Sequence, residues 1–177
     1  MAITCANLGV LYQSRGDLGK AEELFTKSLG IDEKLGRLEG MASDYGNLGL
    51  IYQRRGVLDK AEQMHLKSLQ IAKKLGHLEG VADQYGNLGV IYRRRSDLLK
   101  AEQMHLESLA VNQKLGRSEG IARQYGGLGA VYKTGGDAKK AKEFLGKALE
   151  LFKKIGVKPE IDRTQRLIEE LDKGGDS

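Results

Sequence analysis

Two histidines stand 40 residues apart in near-identical surroundings, His65 and His105, each inside a KAEQMHL run that begins at Lys60 and again at Lys100. Histidine serves as metal ligand and as acid–base group. A metal site needs several His, Cys or carboxylate ligands at characteristic spacings, and neither histidine has such a partner nearby. Both lie on a stripe expected to be buried, so each reads as a packed core histidine with a satisfied hydrogen bond. Met64 and Met104 beside them read as helix packing, and His77 falls in a connector without a partner signal. Cys5, the single cysteine, has no evident base, which argues against nucleophilic catalysis; alone, it also excludes an internal disulfide framework or CxxC metal chemistry. No GxxxxGK[ST] phosphate loop occurs. The Glu and Lys residues typified by Glu22, Lys60, Glu62 and Lys67 are expected on an outer convex face, with no paired-carboxylate site among them. The chain is therefore expected to be no enzyme and to hold neither metal nor cofactor.

A different chemistry is suggested by Asn7, Asn47 and Asn87, which also recur every 40 residues. Each belongs to a set spaced i, i+4, i+7, i+11: Ile3, Asn7, Val10, Ser14; Ser43, Asn47, Leu50, Arg54; Asp83, Asn87, Val90, Arg94; and, with the Asn lost, Arg123, Gly127, Ala130, Thr134. Such spacing puts each set on one helical face. The face is offset by two residues, about 200°, from the apolar stripe of the same helix and so looks away from the core. A purely solvated face would be uniformly polar, whereas this one carries an apolar residue in mid-stripe. A carboxamide offers one acceptor and two donors, which suits an extended peptide backbone. Arg54 and Arg94 could pair with carboxylates. The candidate peptide-binding residues are thus Asn7, Val10, Asn47, Leu50, Arg54, Asp83, Asn87, Val90, Arg94 and Arg123. The plainer reading stays open: each Asn bonds a neighbouring helix, and the arginines simply favour helix C-termini. Arg55, Arg93 and Arg95 flank the stripe and read as a solvated face, with an acidic-partner patch as the alternative.

These residues must be positioned by a repeat. YGNLG occurs at Tyr45 and Tyr85 and YGGLG at Tyr125, and the 40-residue period has no insertion. Full units span 1–40, 41–80 and 81–120, with a fourth over 121–156. In the second unit Met41, Tyr45, Leu48 and Tyr52 line one face of a helix expected from Met41 to Arg55. A second helix is expected from Leu58 to Leu75, with Leu58, Ala61, His65, Ser68, Ala72 and Leu75 on its inner face. Glycines at 16, 56 and 136 and at 36, 76, 116 and 156 read as helix stops. Ser96 takes the glycine's place once, beside Asp97. Gly49 and its equivalents, together with Gly46, Gly86 and Gly126, sit inside helices, where Gly is about 1 kcal/mol worse than Ala. Their recurrence implies a steric need, expected to be close approach of a neighbouring helix backbone. Two helices cannot enclose a core, but stacked pairs can.

The pattern Tyr45-x2-Leu48-Gly49-x2-Tyr52…Ala61 resembles the tetratricopeptide repeat, with Tyr in place of the usual Trp. The period is 40 instead of 34, and Lys73, Gln113 and Lys153 stand where a Pro commonly closes the second helix. Both departures fit a longer second helix, as in the 40-residue subclass resembling kinesin light chain and the Pins-type spindle-orientation adaptors. The first unit is weaker, with Cys5 at the aromatic position. The resemblance implies an all-α, right-handed superhelical solenoid of four helix pairs plus a C-terminal capping helix. It also implies a concave groove that holds peptide or partner segments, contacted by the Asn carried onto Asn7, Asn47 and Asn87.

Composition narrows the partners. Of 177 residues, 40% are hydrophobic and 30% charged, enough for a core and too apolar for a disordered chain. The 29 basic residues exceed the 24 acidic by only five, and Trp is absent, so nucleic acid is disfavoured. A protein or peptide partner is favoured, and the small basic excess suits an acidic one. No apolar run suits a membrane span, and MAITCANLGV lacks a signal peptide's basic start; a cytoplasmic setting is the expectation. Ile3 and Leu11 suit a solvated terminal face poorly. The chain is thus expected to be a piece of a longer array or to self-associate through its first repeat. Assembly through solenoid ends, or service as a regulatory fragment of a larger signalling protein or enzyme, are the alternatives to peptide binding. At the other end, Pro159 suits a first helical turn, Ile161, Leu167, Ile168 and Leu171 give a capping helix over 157–173 its apolar face, and 174–177 are expected to form a flexible tail.

Overall fold

The computed structural model describes residues 1–173, and the tail expected over 174–177 lies outside the described residues. All regular structure among the described residues is helical: α1 (Ala2–Ser14), α2 (Leu18–Leu35), α3 (Leu38–Arg54), α4 (Leu58–Leu75), α5 (Leu78–Arg94), α6 (Leu98–Leu115), α7 (Ser118–Thr134), α8 (Ala138–Ile155) and α9 (Lys158–Lys173). The chain divides into two compact units, Met1–Ile91 and Tyr92–Ser177.

Chain reversal follows one recipe throughout. The glycine after α2, Gly36, adopts a left-handed φ of 65°, and the next amide, of Arg37, donates back to the Asp32 carbonyl at 2.9 Å. Glycine reaches that conformation without Cβ strain and closes the helix in a Schellman-type cap. A new helix starts at once. This corrects the expected start of the first helices: α3 begins at Leu38, three residues before Met41. The connector is only two residues because the Met41 amide already bonds the Arg37 carbonyl at 3.1 Å. Ser96 carries the same duty at φ 62° without glycine's freedom. Asp97 next to it caps α6, its Oδ1 accepting from the Lys100 amide at 3.3 Å.

In the first unit α1 packs on α2, α2 on α3 and α3 on α4, and α1 also touches α3. The core gathers Ala21, Phe25, Leu48 and Ile51, with Tyr12, Tyr52 and Met64 packed around them. Burying a side chain the size of Phe25 is worth about 1.5–3 kcal/mol. Leu48 is 4% exposed, but its equivalent Leu8 on α1 is 42% exposed, since no helix covers that side of α1 among the described residues. In the second unit α6 packs on α7, α7 on α8 and α8 on α9. Val157 and Ile161 of the α9 end lie against Ala122, Ala148 and Phe152, so α9 covers the last helix pair. Lys133–Glu170 and Lys142–Asp172 (2.7 Å) ion pairs pin it.

The glycines within helices make room for side chains, not chiefly for backbone. A Cβ on Gly9 would lie 2.9 Å from the Phe25 ring, on Gly49 2.6 Å from the His65 ring, and on Gly129 2.7 Å from Leu145 Cγ. Phe25, His65 and Leu145 are equivalent positions of the second helices, so a bulky inward residue there requires the facing glycine. At Gly129 a backbone atom, the Leu145 amide at 3.2 Å, is also among the close neighbours. Gly126 meets nothing nearer than Ala148 Cβ at 4.0 Å, and no steric need acts there.

Candidate functional site

The second helices, where the histidines lie, are occupied by structural bonds. His65 Nδ1 and Gln84 Oε1 are 2.7 Å apart and His105 Nδ1 and Gln124 Oε1 2.9 Å, all four side chains buried. A carboxamide oxygen only accepts, so each Nδ1–H donates. Burial lowers both histidine pKa values, which favours the neutral imidazole. Among the described residues no group of three or more His, Cys, Asp or Glu could hold a metal ion. No helix among the described residues is long and apolar enough to cross a membrane.

The residues expected on an outer surface are not all solvated. Glu22 is half-buried and accepts from Tyr52 Oη at 2.6 Å while pairing with Arg55, which joins α2 to α3. The Tyr52 hydrogen bond holds the Glu22 carboxyl below its ordinary pKa, and the same bond pushes the phenol to about 12. Tyr132 and Glu102 repeat the arrangement in the second unit, again with a phenol pushed to about 12. Lys60 sits 5.4 Å over the Tyr52 ring and Lys67 5.0 Å over the Tyr45 ring, a weak cation–π attraction.

The candidate face is carried by the first helices. In the first unit Asn47, Leu50, Asn87 and Val90 are half-buried, whereas Asn7, Val10, Ser43, Asp83 and Arg54 are exposed. Arg54 Nη1 donates to the Gln13 carbonyl at the end of α1 at 3.4 Å, so this arginine already leans on a neighbouring helix. Arg94 ends α5 and belongs to the second unit, where it is exposed. Arg123, also in that unit, is ion-paired with Glu119 at 2.6 Å. Gly127, standing where the other repeats have Asn, faces His105, whose ring a Cβ there would overlap.

Sequence reasoning did not single out Asp44. It is 1% exposed, and neither carboxylate oxygen has a hydrogen-bond partner, the Ser28 hydroxyl being turned to the Ala2 carbonyl at 3.1 Å. Burial pushes its pKa to about 6, with the nearby Asp32 charge adding to the effect. Asp44 is the equivalent of Gln84 and Gln124, and Phe25 that of their partners His65 and His105. The signal was therefore present in the register: a bonded His–Gln pair recurs at 19 residues' separation, and the first repeat substitutes Phe and Asp.

The tetratricopeptide repeat family model matches the chain over residues 1–74, 40–114 and 80–154. No curated protein matches its sequence. Among solved structures, the chain is 28% identical to BtubC (BKLC) from P. vanneervenii, over 88% of this chain and 64% of that one, with a TM-score of 0.79. It is 16% identical to the apo form of RapI, over 99% of this chain and 64% of that one, with a TM-score of 0.85, a likeness of fold alone. The chain thus spans less than two thirds of either relative.

Proposed function

This chain belongs to the tetratricopeptide repeat family, a non-catalytic scaffold fold, and on that premise we propose that the first helices of its first unit hold an extended peptide. In this reading the carboxamides of Asn47 and Asn87 engage the peptide backbone, and Leu50 and Val90 form an apolar floor between them. The observation that carries it is their half-burial at equivalent places on α3 and α5. An edge of peptide backbone presents N–H and C=O groups alternately, and only a carboxamide answers both from one side chain. Arg54, at the end of the same stripe, favours an acidic residue in the ligand. Arg94 and Arg123 would extend the basic character in the second unit. The repeat boundaries at 40, 80 and 120, the kinesin-light-chain and Pins-type subclass, and a cytoplasmic setting belong to the same proposal. The 40-residue period and the 18-residue second helices support the subclass.

Panning of a random dodecapeptide library on the full chain tests the reading. Selected peptides should lose affinity about tenfold or more for an Asn47→Ala/Asn87→Ala variant of unchanged Tm, the effect of two lost hydrogen bonds. Binding intact with a lowered Tm would instead make both residues structural.

A second reading is self-association through α1. It is supported by Ile3, Val10 and Leu11, which are 67%, 51% and 43% exposed on one short helix. Sedimentation at rising concentration would show a dimer that an Ile3→Glu/Leu11→Glu variant abolishes; a monomer throughout would end it.

A further inference from the structure

Asp32, Ala72, Asn112 and Phe152 occupy one equivalent position near the ends of the second helices, and all four are buried. In the first repeat the Asp32 side chain reaches beneath Gly40, where any Cβ would overlap its carboxylate, and Arg37 pairs with it at 2.7 Å. In the third repeat Asn112 reaches beneath Gly120 in the same way, its Nδ2 donating to the Ser108 carbonyl at 2.9 Å. The second repeat keeps the glycine, Gly80, but Ala72 ends at its Cβ, 3.4 Å from where a Gly80 Cβ would stand. The His77 Nδ1 comes to 2.7 Å from the same point, so the space that a short polar side chain fills elsewhere is bounded here by the His77 ring and otherwise left to a cavity.

A cavity of about 640 Å3 marks the place, lined among others by Ser43, Ser68, Ala72, His77, Gly80 and Gln84. Its walls offer both donors and acceptors. Gln84 is 9% exposed and its Oε1 is engaged by His65, so the end it offers a ligand is the Nε2 amide. Ser68 Oγ donates to the Ala42 carbonyl at 2.8 Å. His77 stands where Arg37 stands in the first repeat, and Glu39 also belongs to the lining. Ser43 belongs both to this lining and to the stripe of Asn47 and Leu50, so the cavity adjoins the proposed peptide face.

We propose that this cavity is a side-chain subsite, and that it takes a short oxygen-bearing side chain, Asp or Asn, of the bound segment. The ligand would supply in the second repeat the group that Asp32 and Asn112 supply in the first and third. Its oxygen would accept from Gln84 Nε2 and from the His77 ring. This deepens the reading of the groove and rests on it for the ligand's identity as a peptide, but the cavity can be tested alone.

The test titrates the uniformly 15N-labelled full chain with N-acetylaspartate N-methylamide, N-acetylasparagine N-methylamide and N-acetylleucine N-methylamide at pH 7. The first two should move the amide signals of Gly80, Ala72 and Ser68 saturably, and the leucine probe should not. Ala72→Asn fills the cavity with the residue native to the third repeat, and should weaken both polar probes about tenfold or more. Should that variant fail to fold, His77→Arg leaves the cavity open and should strengthen the aspartyl probe over the asparaginyl one. Equal responses to all three probes would overturn the subsite, as would Ala72→Asn binding like the parent or His77→Arg leaving the preference unchanged. Peptide binding sensitive to Asn47 but not to Ala72→Asn would remove the subsite and leave the groove standing.

Discussion

His65 and Gln84 share a buried hydrogen bond of 2.7 Å that joins α4 to the first helix of the following repeat. Gln84→Leu would leave the His65 Nδ1–H buried without an acceptor, at about 1–3 kcal/mol. Denaturant unfolding of Gln84→Leu, His65→Phe and the double variant should show the double less destabilised than the sum of the singles. Strict additivity would mean the bond carries no coupling.

The same histidines predict acid sensitivity. Their folded pKa values lie below the ordinary 6.5, so below about pH 6.5 the unfolded chain takes up protons that the folded chain refuses. Stability from both is full above that pH and lost as pH falls. Replacing His65 and His105 together by Phe should flatten this slope in Tm measured from pH 7.5 to 5.

Asp44 works in the opposite sense. Its pKa rises from 3.8 to about 6 on folding, so between those values the folded state holds more protons, and this residue's contribution improves as pH falls through the window. At neutral pH it is a buried, ionised and unpartnered carboxylate. Asp44→Asn should stabilise the chain at pH 7 by roughly 2 kcal/mol, with the gain shrinking toward pH 4. A gain independent of pH would point to packing instead of charge.

Two glycine substitutions should differ in sign. Gly49→Ala gains helix propensity of about 1 kcal/mol but drives a Cβ to 2.6 Å from the His65 ring, and overpacking of this kind costs about 1–3 kcal/mol. Gly126→Ala meets only ordinary contact at 4.0 Å and should stabilise by up to about 1 kcal/mol. Thermal melts of the two variants check both signs.

Ser96→Gly should raise stability by about 1 kcal/mol, since Ser96 alone among the described non-glycine residues holds a positive φ, 62°. Asp97 and its cap are left untouched, so a destabilised variant would show that the serine side chain has a role of its own.

Much of this architecture was legible because a 40-residue repeat states each rule several times. Leu58–Leu75 was readable to the residue, bounded by Gly56 and Gly76. The start at Leu38 was not, since a left-handed Gly36 lets the helix begin where polar Arg37 and Gly40 suggest a loop. Inter-repeat contacts were hidden for another reason. Helical periodicity shows which face is buried, but not what it meets: Glu22 looked like surface until Tyr52 was placed over it, and Asp44 could be recognised as unpartnered only once His65 and Gln84 were seen to be bonded. The candidate face was legible as a stripe, whereas the Ala72 cavity depends on an absent side chain and has no periodic signature.

The central claim is that Asn47 and Asn87 receive a peptide backbone. It is tested most directly by following the side-chain amide signals of the 15N-labelled chain while adding a library-selected peptide. The account predicts large, saturable shifts of the Asn47 and Asn87 carboxamides, with Leu50 and Val90 amides moving alongside. Saturable binding that leaves both carboxamides unmoved and perturbs the outer residues of α2 and α4 instead would contradict it.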